Sequence, residues 1–342
     1  NTPSGHACQC ESGYSGSTSC TASCATVSLT DPELVAALRA AIGKPTGTIN
    51  AADVANLTTL NASDRTVTTL AGLQCIPSLE TLLLARTDVD SAGLAVVAQL
   101  NRLRSLDLSC TEVEDLDFLD EHPSLERLEV NSPSGLCESQ LTDISGVTTA
   151  RRLKQLTLQG HNITSLAGFG NLKRLQALSL AENEISSVAA LADIPGLEQL
   201  YLGVNNLPDL SEISPLTQLR VLDVSTNPLT NLNGLGNLTR LENLRLDDLG
   251  LTALPSLTPF TLLRTISFAS NQVSSLTALT DADKLEWIYA QSNSITTVEP
   301  LVGTSFRGTL VMSSNPLDCS TEKVHQDALI AQGAYFIGMM CL

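Results

Sequence analysis

The sequence predicts an α/β solenoid, a coil of stacked short units with a parallel sheet on one face and 3₁₀ or irregular segments on the other. The first observation is a repeat of twelve units, whose step is 22 residues from Leu153 onward. The second is the segment L-x-x-L-x-L, or a close variant, at the start of each unit. Its final alternation is typical of a short strand with one buried side. Self-similarity at such a period indicates coils that bury their apolar sides against one another.

The register of the repeat is the same along the chain. The units begin at positions 57, 79, 103, 125, 153, 175, 197, 219, 241, 263, 285 and 307, and the fourth place is Leu or Ile in all twelve. Two units are longer, the one from Leu79 by two residues and the one from Leu125 by six, around NSPSGLCESQ. We therefore expect twelve short parallel strands, about 4.8 Å apart.

A turn is predicted after each strand. Asn occupies the ninth place of six units, at Asn183, Asn205, Asn227, Asn271, Asn293 and Asn315. A stacked side-chain amide can satisfy turn backbone groups that would otherwise be buried unpaired. Apolar residues then recur every three positions, as at Leu229, Leu232, Leu235 and Leu238. This spacing favours an extended or 3₁₀ return path over a full α-helix.

Both ends of an open stack must be capped, because they expose apolar surface and unpaired strand edges. Before the first unit, Asp31, Pro32 and Gly43 predict the cap, first residue and stop of a helix. Asn50 begins a second short helix, with Asp53 three residues on. After the last unit we predict a helix over about 321–332, then an apolar run over 335–337 that adds a closing strand or covers the last coil.

These elements divide the chain into four parts. They are a cysteine-rich segment over residues 1–28, a helical cap over 29–56, twelve repeats over 57–317 and a C-terminal cap over 318–342.

The repeat pattern L-x-x-L-x-L-x-x-N-x-I/L, as in LQALSLAENEI and LEQLYLGVNNL, resembles the leucine-rich repeat family. The 22-residue step resembles its internalin-type branch, and the similarity covers about three quarters of the chain. The resemblance implies a curved right-handed solenoid that binds partners, usually proteins, on its concave sheet. His161 and Leu249 depart from the ninth-place Asn, and Arg307 departs from the first-place Leu, so the local turn geometry there is not predicted.

Both flanks also carry resemblances. The paired helices resemble the cap of internalin-like proteins, and the C-terminal part resembles the cysteine-bearing flank of extracellular leucine-rich repeat proteins, which implies a Cys319–Cys341 disulfide. The segment CQCESGYSGSTSC resembles the last third of an EGF-like module, with one extra residue before Cys20. That resemblance implies a Cys10–Cys20 disulfide and a chain that continues upstream. The alternative is a disulfide-tied tail on the cap.

Nine cysteines, clustered at the ends and at the insertion, favour disulfides and an oxidising compartment. Cys110 and Cys137 lie just past the strands of neighbouring units, which predicts a bridge across the insertion. Cys8–Cys24 is a further candidate pair. One thiol of an odd number is free or bonded elsewhere, and we assign it to Cys75. A zinc site at Cys8, Cys10, Cys20 and Cys24 is the rival interpretation, but C-x-C without a C-x-x-C knuckle is poor zinc spacing.

The register also predicts which side chains point away from the core. Tyr201, Asp223 and Arg245 lie side by side on consecutive strands, and Trp287 and Tyr289 share a later strand. Aromatic residues make up 3% of the chain, and interface cores favour Trp, Tyr and Arg. We predict a ligand-binding concave surface that comprises Tyr201, Asp223, Arg245, Asp247, Trp287 and Tyr289.

Simpler interpretations remain open for these polar residues. The strip could be ordinary sheet lining, with Asp223 and Arg245 as a cross-strand ion pair. Asp107 beside Glu129 could hold calcium or be a solvated acidic pair, and the usual loop of alternating oxygen ligands is absent from the sequence.

Composition and motifs exclude several classes of function. A net charge of −17 disfavours nucleic acid, and no apolar run is long enough for membrane insertion in this segment. No catalytic or phosphate-binding motif appears, and His6, His122, His161 and His325 lie in different regions. We expect a non-enzymatic monomer without cofactor or metal.

The leading hypothesis is an extracellular or cell-surface recognition module, an adhesin or receptor ectodomain, that binds a protein or glycan. The alternatives are a structural spacer of a surface protein and an accessory domain of an enzyme whose catalytic part lies outside this chain. Asn56, Asn61, Asn162 and Asn237 are glycosylation sequons if a eukaryote secretes the chain. A glycan on Asn61 would block the N-terminal end of the sheet.

Overall fold

The computed structural model describes residues 24–137, 141 and 143–338, together with the backbone of two short strands near the N-terminus. The chain forms two compact units, Asn1–Leu153 and Lys154–Leu342.

The first unit has a helical start followed by parallel strands. Its elements are β1 (Tyr14–Ser15), β2 (Thr21–Ala22), α1 (Pro32–Ile42), α2 (Ala51–Val54), β3 (Thr59–Asn61), β4 (Thr81–Leu83), β5 (Ser105–Asp107) and β6 (Arg127–Glu129). β1 and β2 pair antiparallel, whereas β3 to β6 pair parallel in chain order. The EGF-like resemblance stays a prediction, because most of residues 1–23 lie outside the described part of the chain.

The second unit continues the same pattern of parallel strands. Its elements are β7 (Gln155–Thr157), β8 (Ala177–Ser179), β9 (Gln199–Tyr201), β10 (Val221–Asp223), β11 (Asn243–Arg245), β12 (Thr265–Ser267), β13 (Trp287–Tyr289), β14 (Thr309–Val311), α3 (Cys319–Gln332) and β15 (Tyr335–Ile337). Neighbouring strands pair parallel, with equivalent places of successive repeats side by side. The predicted α/β solenoid is therefore confirmed.

In each compact half of the chain, the core consists of residues from equivalent places of successive repeats, stacked on one another. The fourth-place residues Leu222, Leu244 and Ile266 are completely buried, as are Val224 and Leu246 at the sixth place. Each buried aliphatic side chain contributes about 1.5 to 3 kcal/mol of transfer free energy. Short 3₁₀ helices form the predicted return path, as at Leu235–Asn237.

The ninth-place Asn residues join successive coils. In Asn205, Nδ2 donates to the carbonyl oxygens of Leu180 at 2.9 Å and Leu202 at 3.0 Å, and Oδ1 accepts from the backbone N–H of Ile185 at 2.9 Å. One buried side chain thus satisfies backbone groups of two coils. Among the described residues, the unit with Leu249 at this place also has no 3₁₀ helix in its return path.

The eighth place of the repeat has a backbone conformation that L-residues rarely adopt. Its φ is positive in eleven of the twelve units, with Gly160 at 81° and Val204 at 58° among them. The chain makes the turn after each strand here, so the conformation is set by the stack rather than by the local residue.

Asp31 ties α1 to the first repeat. Its Oδ1 accepts from the backbone N–H of Leu34, which is the predicted N-cap, and its Oδ2 accepts from the N–H of Thr68 at 2.9 Å. Burial raises the pKa of Asp31, but these hydrogen bonds together outweigh it and hold the pKa below its ordinary value. The carboxylate therefore remains charged although it is buried.

The C-terminal cap consists of α3 and β15. α3 begins at Cys319, two residues before the predicted start, because Asp318 caps the helix by accepting from Ser320 N at 2.9 Å. Glu322 is buried and accepts from the N–H of Val298 at 2.9 Å, which fastens the helix to the preceding coil. β15 pairs with β14, so the final apolar run adds a strand.

The disulfides correct one part of the sequence analysis. Cys24 bonds to Cys75 with Cα atoms 5.1 Å apart, so the predicted Cys8–Cys24 bridge and the free thiol at Cys75 are both wrong. The bond also removes Cys24 from the alternative zinc site. The pair could not be predicted from sequence spacing, because its cysteines are 51 residues apart. They meet only when the segment after Cys24 packs against the return path of the first repeat. There, a Cβ on Gly72 would lie 2.4 Å from the carbonyl oxygen of Ser28.

One predicted bridge is confirmed, and the other predicted pairs lie wholly or partly outside the described residues. Cys110 and Cys137 are bonded, with Cα atoms 5.5 Å apart. Cys319 is disulfide-bonded, and its predicted partner Cys341 lies outside the described residues. The predicted Cys10–Cys20 bridge and Cys8 also lie outside them.

Candidate interaction surface

The outward side chains of β9 to β15 form two rows. The fifth-place row runs Tyr201, Asp223, Arg245, Ser267, Tyr289, Val311 and Ile337 on β9 to β15. The third-place row runs Gln199, Val221, Asn243, Thr265, Trp287, Thr309 and Tyr335 on the same strands. We call the six predicted residues Tyr201, Asp223, Arg245, Asp247, Trp287 and Tyr289 the concave strip. The register places Tyr201, Asp223, Arg245, Trp287 and Tyr289 on one face of this sheet. Asp247 lies two residues after β11, 3.2 Å from Arg245.

The middle of the concave strip is an ion-pair cluster. Arg245 lies between two carboxylates, with Nη2 3.2 Å from Asp247 Oδ2 and Nη1 3.7 Å from Asp223 Oδ2. The expected Asp223–Arg245 pair is present, but Asp247 is the nearer partner. The guanidinium is more than half exposed, so its pairs contribute little stability, under about 1 kcal/mol each.

Hydrogen bonds hold the carboxylates of this cluster in place. Asp247 Oδ1 accepts from Ser267 Oγ at 2.5 Å and from the N–H of Ala269 at 2.7 Å. Asp223 Oδ1 accepts from the N–H of Ser225 at 3.0 Å. Ser267 was not among the predicted site residues, although it belongs to the fifth-place row, between Arg245 and Tyr289. The acidic groups are therefore fixed to the sheet.

The aromatic end of the concave strip is a stacked pair. The rings of Trp287 and Tyr289 lie 6.0 Å apart between centroids, with an interplanar angle of 10°. Trp287 is 40% exposed. Side chains two residues apart on a strand share a face, which explains the stack. Tyr289 is half-buried beside Trp287. A stacked aromatic pair of this kind offers apolar contact area at a small cost in side-chain entropy.

The alternative calcium site has only two carboxylates. Asp107 and Glu129 are register partners on β5 and β6, as expected. Burial raises the pKa of Glu129 above its ordinary value, and the charge of Asp107 adds to this rise. Within the described ranges, no group of three or more His, Cys, Asp and Glu residues is arranged to hold a metal ion.

The four sequon asparagines are all exposed: Asn56, Asn61, Asn162 and Asn237. Asn61 Oδ1 accepts from the N–H of Ser63 at 2.9 Å. Across the described part of the chain, no helix is both long and apolar enough to cross a lipid bilayer.

Comparison with known proteins supports the fold described above. Residues 151–207 match the family model described as Leucine rich repeat. The fold is that of leucine-rich repeat solenoids, and one similar structure is the internalin InlF of Listeria monocytogenes, with a TM-score of 0.77 and 22% identity over 90% of this chain and 89% of that one. A search of curated protein sequences gives no significant match.

Two further similar structures also contain leucine-rich repeats. A chain of the octameric complex of Latrophilin 3, Unc5D and FLRT2 has a TM-score of 0.65 and 21% identity over 83% of this chain and 90% of that one. The ectodomain of the Arabidopsis thaliana receptor kinase GASSHO1/SCHENGEN3, in complex with CASPARIAN STRIP INTEGRITY FACTOR 2, has a TM-score of 0.59 and 19% identity over 85% of this chain and 40% of that one. This chain shares its fold with all three structures.

Proposed function

We propose that this chain is an extracellular or cell-surface recognition module that binds a protein partner through the concave strip. The observation that carries the proposal is the in-register placement of Tyr201, Asp223, Arg245 and Tyr289 on one sheet face, with Trp287 stacked on Tyr289. Tyr, Trp and Arg are the residue types that dominate interface energetics.

The dimensions of the concave strip suit a protein interface. β9 and β13 are four strand spacings apart, which is about 19 Å. Contacts to flanking residues would extend this length toward a standard interface of about 800 Å² per partner. The sheet backbone is fully paired there, so binding need not order the framework.

Two observations support a protein partner outside the cell. The Cys24–Cys75 and Cys110–Cys137 disulfides are typical of oxidising compartments. Solved structures with this fold include complexes, namely FLRT2 with Unc5D and Latrophilin 3, and GASSHO1/SCHENGEN3 with CASPARIAN STRIP INTEGRITY FACTOR 2.

The test uses a triple variant, Tyr201→Ala, Trp287→Ala and Tyr289→Ala, in a binding screen against arrays of purified ectodomains and of glycans. We expect saturable binding to a protein by the wild type and a loss of at least about tenfold in the variant, because each anchor contributes on the order of 1 to 2 kcal/mol. The melting temperature should change little, since these side chains lie outside the core.

Leu262→Ala is the matched control. Leu262 is 37% exposed, close to the exposure of Trp287, but it lies on the return path and not on the sheet. It should leave binding unchanged. Undiminished binding by the triple variant would refute the concave strip as the contact surface, and binding to glycans alone would refute the protein partner.

A further inference from the structure

The closing strand β15 extends both outward rows beyond the concave strip. Tyr335 continues the third-place row after Trp287 and Thr309, and Ile337 continues the fifth-place row after Tyr289 and Val311. Tyr335 is 72% exposed and Ile337 is 52% exposed. Trp287, Tyr289, Val311, Tyr335 and Ile337 therefore form one apolar surface across β13 to β15, which we call the apolar end.

The apolar end lacks the protection that edge strands usually carry. Charged side chains and proline normally guard an edge strand against pairing and aggregation. The described residues from Gly333 to Gly338, GAYFIG, include neither. Tyr335 and Ile337 stand at outward places, beside Thr309 and Val311, and so do not close the core as the buried Leu310 and Met312 do. Exposed large apolar side chains that form a contiguous surface mark an interaction site.

An acidic group borders the apolar end. Asp223 and Asp247 flank Arg245, and the exposed Asp248 follows Asp247 in the chain, so these four side chains sum to a charge of −2. β11 and β13 are two strand spacings apart, which is about 10 Å. Within the two outward rows from β9 to β15, all of which the structure describes, Asp223 and Arg245 are the only charged members. These two charges cancel, so the negative excess comes from Asp247 and Asp248, just after β11.

We infer that the apolar end and this acidic group together bind a protein segment in which an aromatic or aliphatic anchor is flanked by Lys or Arg. This inference rests on the proposed function and names the chemistry of its partner. The anchor covers Trp287, Tyr335 and Ile337, and the basic side chains face Asp247 and Asp248. A second copy of the chain fits less well, because each copy carries the same excess of negative charge at this face and −17 in total.

The probe is a phage-displayed library of random peptides, selected on the immobilised wild-type chain. We expect enriched peptides to combine aromatic or aliphatic residues with Lys or Arg. Their affinity should fall by at least about tenfold for the edge variant, Tyr335→Ser with Ile337→Ser, because an anchor loses its desolvated contact. Both residues are exposed, so the edge variant should keep the wild-type melting temperature.

Charge is tested separately with Asp248→Asn. Asp248 has a φ of 52°, which Asn tolerates, so the variant removes a charge without backbone strain. We expect affinity for the basic peptides to fall a few-fold, and the difference from wild type to shrink when salt is raised from about 0.05 to about 0.5 M. Val324→Ser, which replaces an exposed apolar residue of α3, is the control that should change nothing.

The outcomes separate this inference from the proposed function. Binding that needs Trp287 and Tyr289 but survives the edge variant would overturn the inference and leave the proposed function standing. Binding that is indifferent to all these variants, or no enrichment of peptides, would count against both. Peptides without basic residues would overturn the partner chemistry. A wild-type dimer in sedimentation that the edge variant dissociates would assign the apolar end to a second copy instead.

Discussion

Val204 adopts a backbone conformation that is unfavourable for its side chain. Its φ is 58°, and the left-handed region is a genuine outlier for a β-branched residue. Asn tolerates this region because its short side chain can bond locally. The repeat requires this conformation at the eighth place whatever residue stands there, so the strain of Val204 follows from the stack and was not visible in the apolar pattern.

Replacing Val204 with Asn should therefore stabilise the protein. Val204 is 48% exposed, so little buried surface is lost. We expect a gain of roughly 0.5 to 1 kcal/mol in the free energy of unfolding, from relief of a left-handed penalty of about 1 to 2 kcal/mol. Denaturant titration measures it. Gly160→Val, at the eighth place of another repeat, is the reciprocal variant and should destabilise the protein. Equal denaturation midpoints for both variants would contradict the explanation.

At the scale of the element, the turn after each strand depends on one side chain. The ninth-place Asn residues, which we call the Asn ladder, supply donors and acceptors to buried backbone groups. The sequence predicted where these residues lie but not which groups they bind. In the early units, Thr87 and Thr111 occupy the ninth place, and each hydroxyl donates to the carbonyl oxygen three residues before it. A hydroxyl thus closes the turn of its own coil there, a role that sequence analysis assigned to Asn alone.

Asn205→Ala should cost about 2 to 4 kcal/mol of unfolding free energy. The buried N–H of Ile185 would lose the acceptor Asn205 Oδ1, and the carbonyl oxygens of Leu180 and Leu202 would each lose a donor. Thermal or denaturant unfolding measures the loss. The adjacent Asn206 is exposed, so Asn206→Ala is a matched control that should stay within about 0.5 kcal/mol. Similar losses for the two variants would show that the ladder contributes nothing.

At the scale of the whole molecule, stability in stacked repeats comes from contacts between neighbouring coils, so perturbations should remain local. The Cys24–Cys75 bond ties the N-terminal segment to the first return path. Chain-entropy theory assigns a bridge of 51-residue separation roughly 4 kcal/mol.

Removing this bond with Cys24→Ala and Cys75→Ala should loosen the first coils in particular. Hydrogen exchange followed by mass spectrometry should show loss of protection at β3 and β4, with β10 to β13 unchanged. Cys110→Ala with Cys137→Ala is the comparison, and its effect should centre on the insertion after β6. A uniform loss of protection along the chain would mean that the molecule unfolds as one cooperative body.

The candidate site was predictable to the extent that it follows from register. Once the strand places were assigned, Tyr201, Asp223, Arg245, Trp287 and Tyr289 had to share a face, because side chains alternate along a strand and the repeat places strands side by side. The contacts that hold Asp247, from Ser267 and Ala269, could not be predicted, since they depend on how the turn after β11 meets the next coil. The exposure of Tyr335 and Ile337 depended on whether the last run became a strand.

The sequence by itself determined the repeat, the register of the strands, the helix starts at Asp31 and Asn50, and the face on which each outward residue lies. These features depend on local periodicity and capping chemistry, which act over a few residues. The tertiary structure alone decided the Cys24–Cys75 pairing, the left-handed eighth place, and the joining of β15 to the sheet as an exposed apolar edge. Each of these requires segments distant in the chain to meet, and their meeting depends on packing that no local pattern encodes.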